Sequence, residues 1–87
     1  MNDESLLQFP CDFPIKIMGA SDSGLRDMVL ALVRRYAPDL DEARVQTRSS
    51  RAGRYEAVTV VVPARDRAQL DAIYRELSTH PQVKLVL

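Results

Sequence analysis

The hydrophobic rhythm of this chain switches between the period of a strand and that of a helix, and the order of the switches limits the folds it can adopt. Phe13, Ile15 and Ile17 alternate with Pro14, Lys16 and Met18. A period of two belongs to a strand with one buried face, and Phe13, Ile15 and Ile17 are its core side. Pro14 lacks an N–H and belongs near the beginning of that strand. Gly19 then permits a sharp exit. In "SDSGLRDMVLALVRRYAP", Leu25, Met28, Val29, Leu32, Val33 and Tyr36 follow the i, i+3, i+4 spacing of a helix with one apolar stripe. Asp22 or Ser23 is placed to cap its first N–H groups. Arg34 and Arg35 suit the negative end of the helix dipole, and Pro38 disfavours helical geometry at Ala37. "PDLDEA" follows as a loop.

The strand period returns in "RVQTRSSRAGRYEAVTVVVP". It reads as a hairpin with its turn in "SSRAGR" and Gly53 as the positive-φ residue. Val58, Val60 and Val62 form one face of the second arm. Tyr55, Ala57, Thr59 and Val61 form the other, and Pro63 ends the arm. A second helix begins at Asp66, which has the spacing of a capping box with Gln69. Leu70, Ile73, Tyr74 and Leu77 make its stripe. "THPQ" breaks the helix, and "VKLVL" closes the chain as a strand with Val83, Leu85 and Leu87 inward.

The predicted order is β-α-β-β-α-β. With right-handed crossovers this is an α+β, ferredoxin-like sandwich: a four-stranded antiparallel sheet with two helices on one face. The other face would carry Lys16, Met18, Tyr55, Ala57, Thr59, Val61, Lys84 and Val86. At 87 residues there is room for a single domain that buries roughly 60–65% of its unfolded surface. Residues 1–12 read as an N-terminal tail to it. No tryptophan is present and aromatics make up 6%, so the core is mainly aliphatic.

Composition narrows the function classes. Basic and acidic side chains number 12 each, so no overall field draws the chain to nucleic acid or to an anionic membrane. The longest apolar run, "AVTVVVPA", is far short of the ~20 residues that cross a bilayer. "MNDESLLQ" has acids where a secretory signal needs a basic start. The single cysteine, Cys11, has no partner for an internal disulfide. Together these point to a soluble cytoplasmic protein.

Specific activities also lose support. An RNA-recognition domain needs stacking aromatics on its central strands, and Tyr55 stands alone. An acylphosphatase-like enzyme needs an arginine after the first strand, and "MGASDSGL" has none. A metal chaperone of this fold needs two cysteines in that loop. Cys11 and His80 have no spacing that joins them as nucleophile and base; Cys11 reads as a small residue of the entry segment and His80 as a loop residue. Asp39, Asp41 and Glu42 read more simply as a solvated loop than as ligands of a hard cation. No enzyme, metal or cofactor is expected.

Two features retain a functional meaning. Arg44, Arg48, Arg51 and Arg54 gather on the hairpin, where they suit a carboxylate, a phosphate or an acidic partner. The plainer alternative is an edge strand that uses charge against aggregation. "GASDSGL" looks like the loop of ACT regulatory domains, which bind amino acids or similar metabolites at subunit interfaces. Its helix start offers free N–H groups to an anion; ordinary turn chemistry explains it as well.

Three segments together resemble the bacterial YbeD-like family of small proteins: "LLQFPCDFPIKIMG", "SSRAGRYEAVTVVV" and "IYRELSTHPQVKLVL". The specific points are Phe9-Pro10, Phe13-Pro14, Lys16, Met18-Gly19 and Gly53-x-Tyr55. The hairpin is longer than the family's usual one, and Ala57 stands where serine is common. The resemblance implies a ferredoxin-like fold similar to ACT domains. It also implies the label carried by the family, lipoic-acid-binding regulatory protein.

The expected function is a non-enzymatic regulatory domain, monomeric or homodimeric, that binds a small anionic metabolite. Lys16, Gly19, Asp22, Gly24, Arg48 and Arg54 are its candidate ligand-binding residues. The alternative is a protein-interaction module that uses the exposed sheet face or the arginine hairpin. A deep pocket near Gly19 favours the first, and a shallow apolar face favours the second.

Overall fold

A computed structural model describes residues 8–87. Of the segment read as a tail, residues 1–7 lie outside the described residues. The elements are β1 (Cys11–Ala20), α1 (Leu25–Tyr36), β2 (Gln46–Ser49), β3 (Tyr55–Ala64), α2 (Arg67–Thr79) and β4 (Val83–Val86). The strands form one antiparallel sheet in the order β2-β3-β1-β4, and this is the ferredoxin-like arrangement.

β1 and β3 pair over ten residues each, from Cys11 opposite Ala64 to Ala20 opposite Tyr55. Ile15, Ile17, Val58, Val60 and Val62 point to one side and are fully buried. Leu25, Val29 and Val33 of α1 and Ile73 and Leu77 of α2 meet them there, also fully buried. Burying each such side chain contributes about 1.5–3 kcal/mol. Leu30 of α1 and Leu40 and Val45 of the following loop join this core, although none lies on a predicted stripe. Phe9 and Phe13 pack against its margin. The Phe13 ring meets Tyr74 edge-on at 6.4 Å.

Both prolines of the central strands fit the ladder. Lys16 donates its N–H to Leu87 and accepts from Leu87 N–H, at 3.1 and 2.8 Å, so its backbone groups point away from β3. Antiparallel pairs alternate in this respect. Pro14 and its partner Val61, and Asp12 and its partner Pro63, therefore also face away from the β1–β3 ladder. β2 reaches only as far as Thr59, so the missing Pro63 N–H falls on an open side. For that reason Pro63 does not end the strand, which runs on to Ala64.

The last strand departs from simple alternation. Ile17 lies opposite Val86 and Met18 opposite Leu85, but Gly19 lies opposite Val83. Lys84 is an extra residue, a bulge that reverses the parity of the strand. Val83 and Val86 thus pack against the core, whereas Leu85 and Leu87 are 48% and 61% exposed. The expected inward positions of Leu85 and Leu87 and the outward position of Val86 are corrected by this single insertion.

Local chemistry differs from expectation at both helix starts. Neither Asp22 nor Ser23 caps α1; its N-cap is Gly24, in a left-handed conformation with φ 76°. The Ser23 hydroxyl donates instead to the Ala20 carbonyl at 2.7 Å. Asp66 does cap α2, accepting from Gln69 N–H at 2.8 Å. The buried Gln69 side chain does not complete a capping box. It accepts from Arg65 N–H at 2.6 Å and donates to the Tyr36 carbonyl at 2.8 Å, which ties the start of α2 to the end of α1. Gly53 has the expected positive φ, 75°.

Gly19 is required for a reason other than a sharp exit. It is an extended residue within β1, and a Cβ there would stand 2.5 Å from the Gln82 carbonyl oxygen and 3.1 Å from a Leu25 methyl. The Gln82 side chain also bonds to the Ser23 carbonyl, so the loop before β4 is held against this point. Gly19→Ala should therefore lower stability by about 1–3 kcal/mol, as overpacking does, and Gly19→Val by more. A urea midpoint equal to that of the wild type would show that the approach is not tight.

The loop after α1 is anchored by charge. Glu42 pairs with Arg34 at 3.1 Å and with Arg26 at 3.4 Å. The Arg34 hydrogen bond, helped by the Arg26 charge, holds the Glu42 carboxyl below its usual range. A carboxylate depressed on folding stabilises above its unfolded pKa, and the effect is lost as pH falls through the folded value. The group is exposed, so the contribution is small. In an NMR titration the Glu42 carboxyl should titrate below an ordinary glutamate, and Arg34→Ala should bring it back up. An unchanged titration in that variant would remove Arg34 as the cause.

Candidate functional site

The helices cover one face of the sheet and leave the other open. Alternation in β1 and β3, extended to β2 and β4 by their registers, assigns the residues of the open face. One row across the strands runs Gln46, Thr59, Lys16, Leu87. The next runs Arg48, Ala57, Met18, Leu85, and Tyr55 stands beyond it beside Ala20. Rows are separated by two residues, or about 6.6 Å.

Small side chains on β3 hollow the centre of this face. Ala57 and Thr59 lie between taller neighbours on β1 and β2, and the resulting depression has a volume of about 440 Å³. Lys16 and Arg48 lie on opposite sides of it, with Gln46 and Thr47 completing its wall. Among the described residues neither Lys16 nor Arg48 has an ion-pair partner. A mainly apolar trough of about 180 Å³ adjoins it, with Met18, Tyr55 and Glu56 in its lining and Arg48 and Ala57 shared between the two. The depression is lined by no acid, histidine or cysteine. Its chemistry is attraction of an anion, with hydroxyl and amide groups to orient it, beside a surface that favours apolar contact.

The sequence candidates separate into two groups. Lys16 and Arg48, remote in sequence, meet in the depression. Gly19, Asp22 and Gly24 belong to the strand end and loop that lead into α1. Gly19 is buried under the Gln82 carbonyl and Leu25, which leaves no access to it. Asp22 is exposed, with φ 60°. Arg54 is outside the depression; its carbonyl accepts from Ser21 N–H at 2.9 Å, which joins the hairpin to this loop.

The hairpin arginines do not act as one cluster. Arg44 pairs with Asp12 at 2.9 Å, Arg48 lines the depression, and Arg51 and Arg54 stay at the exposed turn. Periodicity alone places Leu85 and Leu87 inward, and only the bulge turns them to the surface. The acidic loop is occupied otherwise: Asp41 accepts from Ala43 N–H at 3.0 Å, and Glu42 holds two arginines. Among the described residues no group of three or more His, Cys, Asp or Glu side chains is placed to hold a metal ion. The His80 Nδ1 accepts from Gln82 N–H at 3.2 Å, a loop-closing role. No described helix is long and apolar enough to cross a membrane.

Comparison with known proteins gives the chain a family and adds no chemistry. The family model described as "Protein of unknown function (DUF493)" matches residues 4–87. A UPF0250 protein of Nitrosomonas europaea is 48% identical over the whole of both chains. One from Paraburkholderia phytofirmans is 51% identical over 98% of this chain and 96% of its own length. One from Chromobacterium violaceum is 48% identical over the full length of both. With a family model spanning nearly every residue and bacterial relatives near half identity end to end, the chain belongs to the DUF493, or UPF0250, family of unknown function, the YbeD-like proteins.

Proposed function

We propose that this chain is a non-enzymatic protein-interaction module and that the open face of its sheet is the docking surface. One observation carries the reading. Tyr55, Leu85 and Leu87, the large hydrophobic side chains exposed among the described residues, all stand on the face that the helices leave uncovered. Single exposed apolar residues are ordinary, but their grouping beside Met18 and Ala57 marks a contact surface. Two ten-residue and two four-residue strands give this face roughly 450 Å², from ~3.3 Å per residue and ~4.8 Å between strands. That is below the ~800 Å² per partner of a standard stable interface, so the contact is transient.

The 440 Å³ depression between Lys16 and Arg48 favours a second reading, a small anionic metabolite bound on the same face. Its volume suits a small ligand, but such sites enclose most of the ligand's surface. A depression on an open sheet supplies less cover.

Site-specific photocrosslinking separates the two readings. A benzophenone side chain at position 85 should give a discrete protein adduct in cells, and the same group at position 71, on the exposed side of α2, should not. Combining it with Lys16→Glu and Arg48→Glu should remove the adduct while folding stability changes by less than about 0.5 kcal/mol, as at solvated positions. Arg54→Glu, outside the depression, should leave the adduct in place. Equal adducts at positions 71 and 85 would refute the docking face. A rise in melting temperature with octanoate, lipoate or an amino acid, abolished by the double variant, would carry the metabolite reading instead.

A further inference from the structure

We infer that the partner docks as an extended acidic segment, with one or two carboxylates two or four residues away from a large apolar side chain. This rests on the reading of the open face as a docking surface, and it follows from how charge is distributed there. Lys16 and Arg48 are both cationic, and among the described residues neither is paired. Asp12, the acidic side chain that alternation assigns to the same face, is held by Arg44 at 2.9 Å. Glu56 lines the adjoining trough, but its place opposite Gly19 gives it the parity of the helix side of the sheet. The depression itself therefore offers positive charge without a negative side chain to answer it.

A second copy of the chain is a poor occupant for that reason. Face against face, it would bring two more cations, while Glu56 at the trough stands outside the depression that they border. The flat area, roughly 450 Å² by strand spacing, is also small for a stable dimer. A partner with carboxylates satisfies both cations, and an arginine accepts a carboxylate through two parallel N–H bonds.

The spacing comes from the strand rows. Lys16 and Arg48 stand in adjacent rows, and the apolar trough with Met18 and Tyr55 begins at the Arg48 row and ends one row beyond. From Lys16 to Tyr55 along the strands is two steps, about 13 Å. An extended chain advances about 3.3 Å per residue and presents every second side chain to one side. A carboxylate over the cations thus falls two or four residues from an aliphatic or aromatic side chain in the trough.

Selection from a phage-displayed library of random dodecapeptides on the full chain tests this. Enriched sequences should carry Asp or Glu two or four residues from a large apolar residue. A fluorescein-labelled enriched peptide, followed by anisotropy, should bind about tenfold or more weakly to the variant Lys16→Glu with Arg48→Glu. It should weaken similarly with Lys16→Gln and Arg48→Gln, whose fold is checked by circular dichroism, and it should weaken with added salt. Enriched peptides without acids, or with full affinity for the double variants, would overturn the inference while leaving a docking face. Failure to enrich any peptide would overturn the docking face itself. The chain's own first eight residues, "MNDESLLQ", carry Asp3 and Glu4 ahead of Leu6 and Leu7, so this peptide is included as a competitor. Displacement by it, together with tighter binding after deletion of residues 1–7, would make the occupant a segment of this chain and not a separate partner.

Discussion

The antiparallel ladder between β1 and β3 is the constraint on which the rest of the molecule depends. Its ten-residue register places Ile15 and Ile17 beside Val58, Val60 and Val62 and makes a continuous aliphatic surface that both helices must cover. The same register decides what the other side presents. Lys16 falls beside Thr59 and Met18 beside Ala57, so the buried and the chemically interesting faces are two sides of one pairing. A slip of one residue would exchange them. The fully buried valines and isoleucines make such a slip costly, and Pro14 and Pro63, at positions whose N–H groups face away from the ladder, are compatible with this register.

β4 shows how a packing constraint at one end of the sheet alters the surface at its centre. The Gln82 carbonyl closes on Gly19, and the chain then spends one extra residue, Lys84, before pairing with Met18 and Ile17. That residue sends Val86 into the core and Leu85 and Leu87 to the open face. Without the bulge the open face would lose the leucines beside Lys16 and Met18, and its cationic depression would lack an apolar border on that side. Structural tightness around Gly19 and the character of the proposed docking surface are thus connected by covalent continuity over a few residues.

The candidate residues illustrate what a pattern of residue types can and cannot reveal about a site. Lys16 was legible as an outward residue of the first strand, and Arg48 as a cation of the hairpin. Their meeting was not legible, because it depends on the side-by-side registers of three strands. Gly19 drew attention for its freedom of backbone angle, yet its place is explained by what packs against it. Arg44 and Arg48 look alike in sequence. One is engaged by Asp12 across 32 positions, while the other borders an open depression.

The order of elements, the single aliphatic core and the two faces of β1 and β3 were determined by the sequence alone, because hydrophobic periodicity is a local property that a strand or helix expresses wherever it lies. The left-handed residue at Gly53 was determined in the same way, by turn chemistry within a few residues. Tertiary structure decided the bulge at Lys84, the start of α1 at Gly24 without a side-chain cap, the link from Gln69 to the Tyr36 carbonyl and the meeting of Lys16 and Arg48 across Ala57 and Thr59. Each of these depends on segments brought together from distant parts of the chain, where close contact and shared hydrogen bonds outweigh the local preference that a sequence pattern records.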